Sequence, residues 1–361
     1  MLLNATADSR TDAKPGSRTA SRKDEHLRIN IDEDVAAKGI ETGFDDWRFV
    51  HRALPEIDLN SVELSTDLLG HQVGAPLLVS CMTGGTEQAG VINERLARAA
   101  QAHGLAMGLG SCRVLLEQPD VLPTFDVRAL APDVPLLANL GAVQLNLGVG
   151  IDECRRLLRV LRADALVLHL NPLQEALQTS GNTAFAGLLA RIAAVCAGLG
   201  APVIVKEVGW GIADDLVTRL FDAGVAAVDV AGAGGTSWSE VERHRMSDSV
   251  RARIAASFAG WGIPTADALI DARSAAPRGV LIASGGVRNG IDVAKALALG
   301  ADSVGVAGPL VRAAAAGDDT LDETVTVILE ELRLVMFCVG AARVAELRSG
   351  ARLVRCDGRA R

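Results

Sequence analysis

Short apolar runs rich in Val, Leu and Ile recur along the chain, each breaking into glycine or polar residues and most followed by helical spacing. The fullest example is Val203 to Trp238, VIVKEVGWGIADDLVTRLFDAGVAAVDVAGAGGTSW. Val203-Ile204-Val205 ends in Lys206-Glu207, and a helix-period segment runs from Ile212 to Ala223. A second run, Ala226 to Val230, then opens into Gly232-Ala233-Gly234-Gly235-Thr236. Strand, charged tip, helix, strand and glycine-rich tip make the βαβ pattern of a parallel sheet buried on both faces. Such sheets place ligands just past the carboxyl ends of their strands.

The same rhythm predicts six further strands. Pro76 to Ser80 ends in Cys81-Met82-Thr83-Gly84-Gly85-Thr86, with a helix from Glu87 to His103. Leu105 to Met107 ends in Gly108-Leu109-Gly110-Ser111-Cys112-Arg113, and Pro135 to Ala138 in Asn139-Leu140-Gly141. A helix from Asp152 to Arg162 leads to Ala165 to Leu168, which ends in His169-Leu170-Asn171. Val280 to Ala283 ends in Ser284-Gly285-Gly286-Val287-Arg288, and Ser303 to Val306 in Ala307-Gly308-Pro309. A long amphipathic segment, Leu321 to Leu347, follows. The count and alternation predict an α/β fold, a (β/α)8 TIM barrel rather than a doubly wound sheet.

The barrel is expected over residues 76–350, with excursions over its mouth at Ser111–Val134 and Trp238–Pro277. Residues 21–75 form an N-terminal arm, Asp32 to Ala53 partly helical and Leu59 to Gly74 a strand or hairpin across the base. Residues 1–20, rich in Ser, Thr and Ala, are expected to be a disordered tail, and 351–361 a C-terminal tail.

Composition narrows the function. Hydrophobic residues make up 49% of 361, enough for a large core, and the formal charge of −8 argues against a nucleic-acid surface. It leaves room for a small anion held by local cations. Six scattered cysteines without CxxC spacing suit a reduced, cytoplasmic protein. No apolar run approaches the roughly 18 residues of a membrane span, and neither a span nor secretion is expected.

The tips carry the chemistry. Gly285-Gly286 and Ala307-Gly308 follow the seventh and eighth strands, where barrels frequently bind phosphate, although tight turns also want glycine. With Lys206 and Thr236 at intermediate tips, a bound group would extend across the mouth, which suits a flavin mononucleotide better than a sugar phosphate. A lysine at the flavin pyrimidine edge would favour an anionic reduced ring; the alternative pairs Lys206 with Glu207. His169-Leu-Asn-Pro-Leu-Gln-Glu175 brings a histidine, two amides and a carboxylate to the mouth. Glu175 is either a carboxylate on a helix N-terminus or a Mg²⁺ ligand beside substrate phosphates, and both readings stand. Spacing alone reads Arg22 to Asn30 as a solvated helix start.

Taken together, the motifs resemble the type 2, FMN-dependent isopentenyl diphosphate isomerases. The likeness runs from Arg22 to about Leu347. It rests on RKDEH (22–26), MTGG (82–85), NLG (139–141), HLNPLQE (169–175), KEVGWGI (206–212), DVAGAGGTSW (229–238), WGIPT (261–265), SGGVRNG (284–290) and VAGPL (306–310). Several recur in other FMN barrels; RKDEH, HLNPLQE and GGTSW in this order are specific. The resemblance implies a cytoplasmic homo-oligomer, tetramer or octamer, that interconverts isopentenyl and dimethylallyl diphosphates. It would use FMN reduced by NADPH, and Mg²⁺, with the flavin as acid/base rather than hydride carrier.

The resemblance also implies site roles. FMN would contact Cys81, Met82, Thr83, Ser111, Asn139, Lys206, Ala231, Thr236, Gly285, Gly286, Val287, Ala307 and Gly308. The substrate diphosphate would meet Arg22, Lys23, His26, Ser111, Cys112, Arg113 and Gln174, with Mg²⁺ held through Glu175. Lys206, Gln174, His169 and Asn171 would serve catalysis.

Three positions depart from the family pattern. Cys112 replaces a glutamine after the second strand, and a thiol there would forfeit a hydrogen bond to the diphosphate, about 1.5–3 kcal/mol. Ala231 stands for a serine, and Asn182 for an aspartate near the metal region. Two alternatives follow: an FMN-dependent hydride-transferring oxidoreductase, and a flavin-binding paralogue without catalysis.

Overall fold

The computed structural model describes residues 15–348 and 353–356. Eight strands close into one parallel barrel: β1 (Leu77–Val79), β2 (Ala106–Gly108), β3 (Leu136–Gly141), β4 (Ala165–His169), β5 (Val203–Lys206), β6 (Ala227–Asp229), β7 (Val280–Ala283) and β8 (Ser303–Val306). Closure comes from β8 on β1, with Val304 opposite Leu77 and Val306 opposite Val79. All eight lie where the apolar runs predicted. Runs buried on both faces need no alternation, and these residues are buried almost throughout.

Inside the barrel, Leu78, Ala106, Leu137, Val167, Ile204 and Ile282 pack together. An antiparallel hairpin, Thr66–Leu68 with His71–Val73, adds Leu68 and Val73 to the same cluster. The hairpin expected across the base is therefore a stopper, and the barrel opens only at its carboxyl end.

Helices cover the outside. Glu87–His103 shows how one is specified: Thr86 accepts from the Ala89 N–H at its start, and Gly104, at φ 66°, ends it. Between them Ile92, Leu96 and Ala100 recur every fourth residue and are buried. The C-terminal amphipathic segment is two helices, Asp318–Val339 and Val344–Leu347, broken at Gly340, whose φ of 66° glycine adopts without strain. Of the two excursions, the first contains Arg113–Glu117 and the second Trp238–Arg245, Ser249–Ser257 and Thr265–Ala275.

The arm differs most from expectation. Residues 1–14 of the predicted tail lie outside the described residues, but the chain is helical from Pro15 to Asp32. Lys23, His26, Leu27 and Asn30, one helical face, all turn towards the barrel mouth. Three of the four are polar, so hydrophobic periodicity missed the inward face. Asp32 to Ala53 is mostly irregular instead of partly helical. Its only strand, Trp47–Phe49, pairs antiparallel with Leu353–Arg355 from the expected C-terminal tail. No helix among the described residues is long and apolar enough to cross a membrane.

Candidate active site

A cavity of about 170 Å³ sits at the carboxyl end of the barrel beneath the arm helix. The tips of β1 to β5 supply Cys81, Met82, Thr83, Ser111, Asn139, His169 and Lys206, and the arm supplies Arg22, Lys23 and His26. Arg113, Asn171, Gln174 and Glu175, also expected, line it too. Asn30, Gln144, Gln178, Val208, Trp238 and Val311 line it as well, although none of them carried an expected site role.

At the floor, β4, β5 and β6 put His169, Lys206 and Asp229 in register across the sheet. Lys206 Nζ donates to the Glu207 backbone carbonyl at 2.6 Å and lies 3.9 Å from Asp229 Oδ2. The alternative pairing with the Glu207 side chain is thereby corrected. Its Oε2 is taken up by the backbone N–H groups of Val208, Gly209 and Trp210 at 2.6–2.7 Å. Burial nonetheless pushes the Glu207 carboxyl up to about 7. His169 Nδ1 stands 2.7 Å from Asn139 Oδ1; an amide oxygen only accepts, so the proton is assigned to Nδ1 and the Nε2 lone pair is free. Burial first, then Lys206, holds His169 down at about 4, and it is neutral at ordinary pH.

Above the floor, Arg22, Lys23 and Arg113 gather from two distant segments. Lys23 Nζ donates to the carbonyls of Gly84 at 2.7 Å and Ser111 at 2.8 Å. Burial, followed by the positive charge of Arg22 and Arg113 against the opposing pull of Cys112, lowers it to about 8. Arg22 is lowered by burial and then by Arg113 and Arg245. Buried Arg113 Nε has no hydrogen-bond partner, though it stands 3.0 Å from Glu117 Oε1. Three cations pressed together out of water call for an anion.

Beside them the HLNPLQE segment folds as a strand end and a short helix, Pro172–Leu177, with proline in its first turn. Asn171 Nδ2 donates to Gln174 Oε1 at 3.0 Å and Glu175 Oε1 at 3.2 Å, leaving its own buried Oδ1 without a partner. The backbone N–H of Asn182 donates to Glu175 Oε2 at 2.6 Å, so the substitution at 182 leaves this contact intact. A Cβ on Gly181 would stand 1.9 Å from the Glu175 carbonyl oxygen, which makes that glycine a condition of the loop. Among the described residues no three His, Cys, Asp or Glu side chains group as a metal cage. A cation here would rest on Glu175 and on ligand oxygens, as Mg²⁺ between carboxylate and phosphate does.

Glu242, in helix Trp238–Arg245, is a residue that pattern reading missed. Its Oε1 is 3.0 Å from His26 Nε2 and accepts from Gln174 Nε2 at 3.4 Å, while its Oε2 accepts from Arg245 at 2.7 Å. Burial pulls this carboxyl up, but His26 and Arg245 outweigh it and leave it below its ordinary range. The only signal was a second acid four residues past Trp238.

Some expected residues lie elsewhere. Cys112 is the clear correction: its thiol is fully buried and donates to the Gly110 carbonyl at 3.2 Å. A small, poorly hydrated group settles into the core, so Cys112 itself offers the diphosphate no hydrogen bond. Ala231, Thr236, Gly285, Gly286, Val287, Ala307 and Gly308 stand beside the cavity rather than on its lining. Ala231 has φ 40°, strained for a residue with a Cβ. The turns after β6 and β7 touch through their backbones: a Cβ on Gly285 would sit 2.1 Å from the Gly232 oxygen. Helix Gly308–Ala316 starts beside them, and the Arg312 guanidinium stands 3.2 Å from where a Cβ on Gly308 would be. Bare backbone, a helix N-terminus and a guanidinium fit a phosphate. The neighbouring floor, with Asp229 Oδ2 and Ser80 Oγ buried and without hydrogen bonds, fits a polar ring edge.

A parallel barrel with this floor, these glycine turns and a cationic arm over its mouth defines an α/β-barrel enzyme of the FMN-dependent class. The family model for FMN-dependent dehydrogenases matches residues 18–116 and 169–354. The chain is 50% identical to an isopentenyl-diphosphate delta-isomerase of Nostoc sp. (94% of this chain, 97% of the relative). It is 53% identical to that of Synechococcus sp. (93% and 96%) and 48% to that of Rickettsia africae (90% and 95%). Among solved structures, a Pediococcus acidilactici lactate oxidase superposes with a TM-score of 0.66 at 19% identity (95% and 94% covered). A mandelate oxidase gives 0.63 at 20% (95% and 98%), and both likenesses speak to the fold alone. The chain belongs to the FMN-dependent dehydrogenase family and, within it, to the isopentenyl-diphosphate delta-isomerases.

Proposed function

We propose that this protein interconverts isopentenyl and dimethylallyl diphosphates, with FMN at the cavity floor and Mg²⁺ on the diphosphate. The observation that carries the reading is the convergence of Arg22, Lys23 and Arg113 on one cavity whose floor bears Lys206. Relatives of that name, about half identical along nearly the whole chain, supply the particular substrate.

In this reading the cations hold the diphosphate, and Gln174, kept in place by Glu242, adds an amide donor. Glu175 holds Mg²⁺ through the carboxylate that Asn171 and the Asn182 N–H keep oriented. Neutral His169, its Nδ1–H fixed on Asn139, offers an Nε2 lone pair to the substrate side. Moving a double bond by one carbon adds a proton at one carbon and removes one from another. The cation that forms between these events needs an anion nearby and little water. Reduced FMN would supply an electron-rich ring able to exchange that proton. The Lys206 ammonium would stabilise negative charge on it. NADPH as reductant and a cytoplasmic setting belong to the same reading. So does a homo-oligomer, supported by exposed Val250, Ile254 and Trp261 on the second excursion.

The test is anaerobic incubation with FMN, NADPH, Mg²⁺ and isopentenyl diphosphate. Dimethylallyl diphosphate should accumulate without stoichiometric NADPH use. NADPH consumption matching turnover would mean an oxidoreductase, and tight FMN without product would mean a silent paralogue. Lys206→Ala and Glu175→Gln should each lower turnover about a hundredfold or more, the scale of losing one charge-stabilising group.

A further inference from the structure

We infer that Asp229 is the counter-ion that positions Lys206, fixing the direction of its ammonium at the cavity floor. The inference deepens the reading of that floor as the flavin site and rests on it for its second test.

Asp229 ends β6, directly opposite Lys206 at the end of β5. It is 1% exposed, and its two oxygens differ sharply. Oδ1 is fixed by the Ser284 hydroxyl at 2.7 Å and the Ala231 N–H at 3.2 Å. Oδ2 is buried and accepts no hydrogen bond, and Lys206 Nζ, 3.9 Å away, is its ion-pair partner. An ammonium has three donors. One is used on the Glu207 carbonyl. A movement of about 1 Å would bring a second to Oδ2 at ordinary charge-assisted length. Two donors tied to the protein fix the direction of the third. Ser284 belongs to the turn that carries Gly285 and Gly286, so one carboxylate ties the lysine to the glycine turn. Burial raises Asp229 while Lys206 opposes that rise, in keeping with a carboxylate that depends on its cation.

Full-chain wild type, Lys206→Met, Asp229→Asn and the double variant are compared first by thermal unfolding without added flavin. Each single variant should unfold at lower temperature, and the double should lose clearly less than the two losses added. Additive losses would overturn the pairing. FMN affinity is then measured at one pH for the same four proteins. Asp229→Asn should bind FMN about tenfold more weakly than wild type, and the same substitution should change affinity little once Lys206 is already Met, as a residue acting through the lysine requires. Equal losses from Asp229→Asn in both backgrounds would overturn the positioning role. Wild type that fails to bind FMN would instead sink the flavin reading, while the unfolding cycle would still decide whether the two side chains are paired.

Discussion

His169 is held neutral by its surroundings, and that has a consequence for stability. Its folded pKa, about 4, lies below the unfolded value near 6.5, so the unfolded chain takes up the proton first. The contribution is complete above pH 6.5 and is lost as pH falls through 6.5 towards 4. Denaturant midpoints measured between pH 7.5 and 4 should drop in wild type and drop less in His169→Asn. An equal drop in both would refute the assignment. Residues of this kind were legible because they stand at strand ends: Lys206 and His169 each close an apolar run, and Glu175 follows in the same HLNPLQE segment. Asp229 and Glu242 were not, since their importance lies in burial and partners that no local spacing displays. Cys112 shows the reverse, a residue on a site-bearing loop whose side chain faces the core.

Among the elements, the glycine turns are the most demanding. Gly285 has φ 101° and meets the Gly232 oxygen within 2.1 Å of any Cβ, whereas Gly148, at φ 99°, faces open space. Gly148→Ala should therefore cost only backbone strain, about 1–2 kcal/mol. Gly285→Ala should cost at least about 3 kcal/mol and FMN affinity as well, since it adds a collision to the same strain. Equal melting temperatures in the two variants would argue against the contact. The eight strands were readable because each is a dense apolar run. Inward-facing polar residues disguised the arm helix, and the pairing of Trp47–Phe49 with Leu353–Arg355 joins segments some three hundred residues apart.

At the scale of the whole molecule, that last pairing ties the N-terminal arm to the far end of the described chain. Leu353 is its buried side chain. Ending the chain at residue 350 should remove about 1–3 kcal/mol, the worth of one buried apolar side chain and a short ladder. The melting temperature should fall by roughly 2–6 °C with FMN affinity unchanged. Loss of FMN affinity would mean that the arm depends on its far strand. The barrel as a whole was legible from rhythm alone, because strand count and alternation are global properties of the sequence.

The hairpin that inserts Leu68 and Val73 under the barrel leaves a vessel with one opening. Whatever lies on the Lys206 floor must enter before anything seated among the arm's cations, and must leave after it. Substrate occupancy should slow cofactor exchange without touching the cofactor's own contacts.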